Sequence, residues 1–295
     1  DTMSIFTSSK VLGYENDEIL GPTGAVAIPE FNTRFTRQML MDTQPKDFNT
    51  LVRLSGFSHG TDVWMGNARE LILSGTASVL ETVGCRDDIM LYLISKGLDP
   101  KMSFKIMEKV RKGKVKKGGF DEGWEDAMRE HEVPEWYIES LAKIGYLFPK
   151  AHVVAYVMMA FRIAWYKVHE PLAFYATFFS VRAKAFDAEY CCAGMAAVKK
   201  KIREIENNKD ATAVEQNLLT TLEVCYEFYL RGFHFDTINI YKSDATKFIV
   251  TENGLLPPFV TVHGLGEAAA IDTVEKRKGK EFISIEEFSM CCNKL

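Results

Sequence analysis

Nothing in this sequence of 295 residues supplies a ready-made reaction centre. No Asp-x-Asp pair occurs, so the clustered carboxylates that two-metal nucleotidyl transfer needs are not offered by a strand of this chain. There is no P-loop, Ser-His-Asp or Cys-His pattern to activate a nucleophile or cradle a nucleotide in the familiar ways. The six cysteines, Cys85, Cys191, Cys192, Cys225, Cys291 and Cys292, form no CxxC and no metal-ligand spacing. They read as free thiols in a reducing, cytoplasmic setting. No stretch of this sequence reads as a signal peptide, and none is expected. Long apolar runs are lacking too: the longest, 151–166, is broken by His152 and Arg162 and reads as a buried helix, too short to span a bilayer. Positive charge is in deficit overall, with 36 Lys plus Arg against 40 Asp plus Glu, a net charge of −4 that argues against a polyanionic partner.

What is there is ample core material. At 47% hydrophobic and 26% charged, the chain is neither disordered nor a disulfide scaffold, and it suffices for one large or two ordinary domains. It starts at Asp1 without Met and stops without a helix-stop signal, so a piece of something longer is expected. Residues 1–24 look loop-rich and linker-like, ending in a Gly21-Pro22-Thr23-Gly24 breaker. Helical patterns follow over 31–41, from Asp47 to near Gly56, and over 64–73, 86–96, 134–144, 151–169, 199–205 and 213–230. Asp99-Pro100 opens one more, with Asp as N-cap and Pro at the first helical position. Beyond Gly232 the period shortens. Residues 233–235, 238–240, 248–250 and 259–262 read as strands, before helix resumes near Glu267. The expected fold is mainly α, with a small α+β module after a boundary near 232.

The charge is unevenly spread. Between Lys96 and Lys117 stand nine basic residues and two acidic ones, a local +7 inside a −4 chain. Lys101, Lys105, Lys109 and Lys112 recur three or four apart and line one helix face, which suits a phosphate backbone or, equally, a solvated lysine face. Phe148-Pro149-Lys150-Ala151-His152 opens the most apolar helix. Cations at a helix N-terminus cost about 0.3–1 kcal/mol each, and make sense where an anion binds the free N–H groups there. The bland reading is a solvated lysine and a core-edge histidine. Ser55-Gly56-Phe57-Ser58-His59-Gly60-Thr61-Asp62 crowds polar side chains into what reads as one loop. Ser55, Ser58, Thr61 and Asp62 there suit nucleotide contacts or plain helix capping. Val262-His263-Gly264-Leu265-Gly266 has the form of a helix-hairpin-helix turn, whose glycines let N–H groups approach a DNA phosphate, although Thr273 stands where an aliphatic is usual. Asp87-Asp88 reads as a complement to a helix dipole.

Several of these stretches together resemble one family. They are Ala27-Ile28-Pro29-Glu30-Phe31, Arg37-Gln38-Met39-Leu40, Ser58-His59-Gly60-Thr61-Asp62-Val63-Trp64 with Gly66-Asn67-Ala68, and Gly84-Cys85-Arg86-Asp87-Asp88-Ile89-Met90. Val110-Arg111-Lys112-Gly113-Lys114, Val133-Pro134-Glu135-Trp136-Tyr137-Ile138, Phe148-Pro149-Lys150-Ala151-His152 and Gly264-Leu265-Gly266 complete the set. Almost the whole chain resembles the C-terminal part of bacterial C-family replicative DNA polymerases, of the PolC-type DNA polymerase III alpha subunit. The resemblance implies that residues 1–24 are a linker from an upstream palm, 25–232 are helical fingers and 233–295 are a duplex-binding module with a helix-hairpin-helix element. It implies DNA-directed DNA polymerase activity in a bacterial cytoplasm, with primer-template DNA, dNTPs, a sliding clamp and the replisome as partners. The palm with its catalytic aspartates and Mg²⁺, the exonuclease and a clamp-binding motif match nothing in this chain, which by itself is expected to be inactive. Arg34, Arg37, His59, Arg86, Lys109, Arg111, Lys112, Lys150 and His152 become candidates for dNTP or DNA phosphates. Lys101, Lys105, Lys114 and the Gly264-Leu265-Gly266 turn become candidates for DNA. A stand-alone, non-enzymatic DNA-binding protein derived from a polymerase is the alternative, and a helical scaffold with solvated lysines is a third reading.

Overall fold

A computed structural model describes residues 1–292. Among them are fifteen α-helices and one three-stranded sheet, a mainly α chain with a small α+β module. No helix among the described residues is long and apolar enough to cross a membrane. The backbone packs as two compact units, residues 1–9 with 22–162, and residues 10–21 with 163 onward.

The first unit carries α1 (Arg34–Thr43), α2 (Phe48–His59), α3 (Arg69–Leu73), α4 (Arg86–Ser95), α5 (Pro100–Arg111), α6 (Lys114–Gly118), α7 (Trp124–Glu130) and α8 (Glu135–Lys143). The division between units falls within α9 (Lys150–His169). The caps legible in sequence form: Asp47 accepts from Thr50 N–H at 2.8 Å and Asp99 from Met102 N–H at 2.8 Å. Two expectations fail locally. Helix α2 does not stop near Gly56 but continues to His59, because Gly56 is spent on a close crossing: a Cβ there would lie 2.2 Å from Gly84 O. The helix expected over 64–73 exists only as α3. Met65 (ψ 134°), Gly66 (φ 70°) and Asn67 (φ −143°) turn the chain instead. The buried Asn67 side chain donates to Asp62 O (3.2 Å) and Ser140 O (3.1 Å), tying that turn to α8.

Residues 1–24 are not laid out as a linker. Ile5 and Phe6 are fully buried in the first unit, where the Phe6 ring meets Phe31 at 5.2 Å, edge to face.

The second unit holds α10 (Pro171–Val181), α11 (Ala188–Cys191), α12 (Met195–Asn207), α13 (Ala213–Leu230), α14 (Glu267–Lys276) and α15 (Ile285–Cys291). Its sheet has the order β1-β3-β2, with β1 (His234–Phe235) parallel and β2 (Ile249–Val250) antiparallel to β3 (Gly254–Leu256). Residues 238–240 form no strand, and Phe259–Thr261 closes into a 3₁₀ turn after Pro258. Position 232 marks a change of secondary structure, but packing does not divide there. Phe235 and Phe248 share one aromatic core with Phe179 and Phe228, with centroids 4.7–5.6 Å apart for Phe228–Phe235, Phe179–Phe235 and Phe179–Phe248.

Beside that core lies a buried charge. Glu227 of α13 is fully buried, accepts from Tyr14 OH at 2.7 Å and Tyr175 OH at 2.6 Å, and pairs with the equally buried Lys167 at 2.7 Å. Burial first, and the charge of Glu227 second, push both tyrosine hydroxyls far above their ordinary value, so they remain donors. All six cysteines are free.

Candidate functional site

The site is organised by the short stretch 145–149 that leads into α9. Gly145 N–H donates to Thr61 O (2.8 Å), and Thr61 N–H donates back to Tyr146 O (3.0 Å), a two-residue antiparallel bridge. Leu147 N–H donates to Arg111 O (3.2 Å), and Arg86 N–H to Phe148 O (3.0 Å). With Tyr146 N–H donating to Thr61 O as well (3.3 Å), five backbone bonds fix these residues against the end of α2, the end of α5 and the start of α4. Two glycines permit the approach. A Cβ on Gly113 would fall 2.3 Å from Gly145 O, and one on Gly145 would fall 2.8 Å from Asp62 Oδ2.

The fixed stretch presents a cluster of rings. Phe148 stacks on His152 at 5.2 Å and receives His59 at 5.7 Å and Tyr146 at 5.0 Å, both edge to face. His152 continues to Tyr156 at 4.7 Å, and the two imidazoles lie 6.4 Å apart. His152, Tyr146 and Tyr156 are exposed. So His59 from the last turn of α2 and His152 from the first turn of α9, which are 93 residues apart in sequence (152 − 59), face one phenylalanine. Glu30, whose side chain is 12% exposed, bonds His59 Nε2 and accepts from the buried Ser55 Oγ at 3.1 Å.

The polar loop expected over 55–62 is mostly helix. Ser55 and Ser58 belong to α2, and Ser58 Oγ donates to Ser55 O at 3.0 Å. Thr61 contributes its backbone to the bridge, and Asp62, at a left-handed φ of 56°, pairs with Lys116 at 2.7 Å. The α9 N-terminus is also not fully open. Asp87 accepts Lys150 N–H at 2.7 Å, so one carboxylate already occupies a group expected to await a phosphate. Asp88 accepts from Gly84 and Cys85 N–H (3.0 and 2.9 Å) and pairs with Arg53 (2.7 Å). The acidic pair at the start of α4 does complement that helix, and it braces two neighbouring segments as well.

The basic segment is less naked than its count of charges. Lys109 pairs with Asp121 at 2.7 Å over the Trp124 ring, and Arg111 and Lys112 share Glu108. Lys101, Lys105 and Lys114 are exposed and make no ion pair among the described residues. The stripe ends at Arg111, because Gly113 (φ 67°) breaks the helix before α6. Arg34 opens α1, exposed, Arg37 is buried on the same helix, and Arg86 Nε lies 4.0 Å from Asp87. The Arg111 guanidinium and Lys112 ammonium hold the Glu108 carboxyl at about 2, below its ordinary 4.5. A lowered folded-state value means stability fully present above 4.5 and lost as pH falls toward 2. Glu108→Gln is expected to flatten that part of the acid-unfolding curve. Thermal melts over this range check it, and a mutant curve parallel to the wild type refutes it.

In the second unit, Gly264 takes φ 77° and Gly266 is the N-cap of α14. The first arm of the expected helix-hairpin-helix is a single 3₁₀ turn, Phe259–Thr261, and only the second arm is a full helix. Thr273 is buried where an aliphatic is usual, and its hydroxyl is satisfied by Ala269 O at 2.8 Å, four residues back. The turn borders a cavity of about 630 Å³ walled by Phe186, Val214, Leu218, Val260 and Leu265. Lys184–Glu267 (3.0 Å) and His263–Asp187 (3.3 Å) stand at this cavity.

Three residues that organise the site carried no distinct signal. Phe148 and Glu30 lay inside recognisable stretches without a chemical reason to single them out, and the bond of Asp87 to Lys150 spans 63 residues.

Residues 1–132 match the family described as the bacterial DNA polymerase III alpha subunit finger domain. Over 97% of its length the chain is 52% identical to DNA polymerase III PolC-type of Caldanaerobacter subterraneus subsp. tengcongensis and 51% identical to that of Halalkalibacterium halodurans. It is 50% identical to that of Streptococcus suis over the same share. The chain spans about a fifth of the length of these relatives, 20% in each case.

Proposed function

Because the chain belongs to the PolC-type DNA polymerase III family, we propose that it is the part of a bacterial replicative DNA polymerase that holds the incoming dNTP and the primer-template. One observation carries this: His59, Phe148 and His152 converge, beside Arg86, Lys150, Arg111 and Lys112, on a stretch pinned by five backbone bonds. Imidazole, ammonium and guanidinium groups on fixed backbone offset triphosphate charge without reorganising at the moment of reaction. The exposed rings of Tyr146, His152 and Tyr156 supply stacking faces that tolerate any base.

In this reading residues 25–232 act as fingers. Of the phosphate candidates, Arg111 and Lys112 stay held in place by Glu108 until a phosphate competes for them. Lys101, Lys105 and Lys114 follow the DNA backbone, and the Gly264-Leu265-Gly266 turn at the start of α14 holds duplex phosphates within the 233–295 module. The catalytic aspartates and the Mg²⁺ they bind belong to other parts of the polymerase, as do the exonuclease and the route to the sliding clamp.

The test is equilibrium binding by the purified chain. Primer-template affinity should fall linearly with the logarithm of salt concentration, by counterion release. Affinity for dGTP should drop at least about tenfold in Lys150→Ala/His152→Ala, a loss of about 1.4 kcal/mol, with DNA binding retained. No nucleotide incorporation is expected from the chain alone. Unchanged dGTP binding would favour a DNA-holding protein without a nucleotide site. Measurable incorporation would remove the claim that the chemistry lies elsewhere.

A further inference from the structure

We propose that Glu30 is a positioning residue, fixing how His59 meets a nucleotide phosphate; this rests on the nucleotide-binding reading above. The Glu30 carboxylate is nearly out of solvent, and the oxygen that meets His59, Oε2, also accepts from the fully buried Ser55 hydroxyl at 3.1 Å. Its other contact is His59 Nε2. An ionised carboxylate accepts hydrogen bonds and donates none, so Nε2 must carry the proton. The polar edge of His59 left for a ligand is then Nδ1, which donates to a phosphate only in the doubly protonated ring. Phe148 and His152 pack against the same ring from α9 and the stretch before it, at 5.7 and 6.4 Å. A carboxylate and two rings therefore leave His59 one orientation.

The backbone around Glu30 is unusual in the same sense. Glu30 sits at φ 71° and Ala27 at φ 62°, two non-glycine residues in the left-handed region within four positions. Such strain persists where surrounding packing over-determines it, and here Ala27, Ile28 and Phe31 are all buried. The strained turn is what brings the carboxylate of a loop residue under the last turn of α2.

A double-mutant cycle on dGTP binding tests the assignment, with equilibrium dialysis of the whole chain against dGTP. Glu30→Gln keeps an acceptor for Ser55 and loses the charge, and is expected to weaken dGTP about tenfold. In a His59→Ala background the same substitution should have no further effect, because its influence passes through the imidazole. Glu30→Asp, which keeps the charge but withdraws it by one methylene, should lose less than Glu30→Gln. Nitrogen-15 spectra of the His59 ring should show Nε2 protonated in the wild type and a changed proton distribution in Glu30→Gln. Additive losses in the cycle, wild-type affinity in Glu30→Gln, or an unchanged ring spectrum would each overturn the assignment of Glu30 alone. Absence of dGTP binding by the wild type would overturn the nucleotide-site reading, and this inference with it.

Discussion

Glu227→Ala destabilises the second unit by about 3–5 kcal/mol, the usual penalty for breaking a buried ion pair from one side. The carboxylate it removes makes four contacts with three donors: Lys167 Nζ at both oxygens (2.7 and 3.0 Å), Tyr175 OH (2.6 Å) and Tyr14 OH (2.7 Å). Lys167, fully buried, would lose its contacts to both Glu227 oxygens, and two tyrosine hydroxyls would lose their acceptor. Glu227→Gln keeps the volume but removes the charge that Lys167 faces, so it should cost nearly as much. Tyr14→Phe removes one neutral donor and should cost about 1 kcal/mol. Denaturant unfolding of the three variants gives the ordering. A loss below about 1 kcal/mol for Glu227→Ala would show that water or another group compensates Lys167.

Gly113→Ala is the second large effect, and it acts on the candidate site. Alanine at φ 67° carries the left-handed penalty of about 1–2 kcal/mol. The new Cβ would also lie 2.3 Å from Gly145 O, a backbone atom that cannot swing aside. The stretch that carries Phe148 must then shift, loosening the bonds of Gly145 and Leu147 to Thr61 and Arg111. The expected result is a stability loss above about 2 kcal/mol together with weakened dGTP binding. Gly118→Ala is the control: that glycine is helical, exposed, without positive φ, and a Cβ there meets nothing within 4 Å. It should be neutral or stabilising by up to about 1 kcal/mol. Equal effects at 113 and 118 would mean that the close approach to Gly145 does not matter.

Much of the first unit was legible because local chemistry decides helix ends. Asp47, and Asp99 followed by Pro100, cap the helices they announce. Local reading failed where a residue serves a distant contact. Gly56 reads as a stop, yet its missing side chain makes room for Gly84, 28 residues on (84 − 56), and the helix runs past it. Apolar spacing over 64–73 reads as helix, yet Gly66 and Asn67 turn the chain so that Asn67 bonds Ser140. Alternation over 259–262 reads as strand, but Pro258 leads into a 3₁₀ turn instead. The site shows the same limit. Its cations were visible as a run of charge, while the acids that hold several of them were not: Asp121 lies 12 residues from Lys109, and Asp62 lies 54 from Lys116. Counting charges along the chain therefore overstated the free cation content. The family resemblance picked out stretches without saying which of their side chains already had partners.

The bond between Tyr14 and Glu227 closes across 213 residues, and that separation has a consequence in time. At a synthesis rate of about 5–20 residues per second, Tyr14 is made roughly 10–40 s before Glu227 exists. Throughout that interval the Tyr14 hydroxyl has no Glu227 to accept its hydrogen bond, although α12, whose Lys199 and Arg203 contact Glu18, is made before Glu227. The nascent chain must carry residues 10–21 as an open loop while the rest of the first unit emerges. A product ending before α13 would keep the contacts of Glu18 to α12 and lack both Glu227 and Tyr226, the partners of Tyr14 and Asp17.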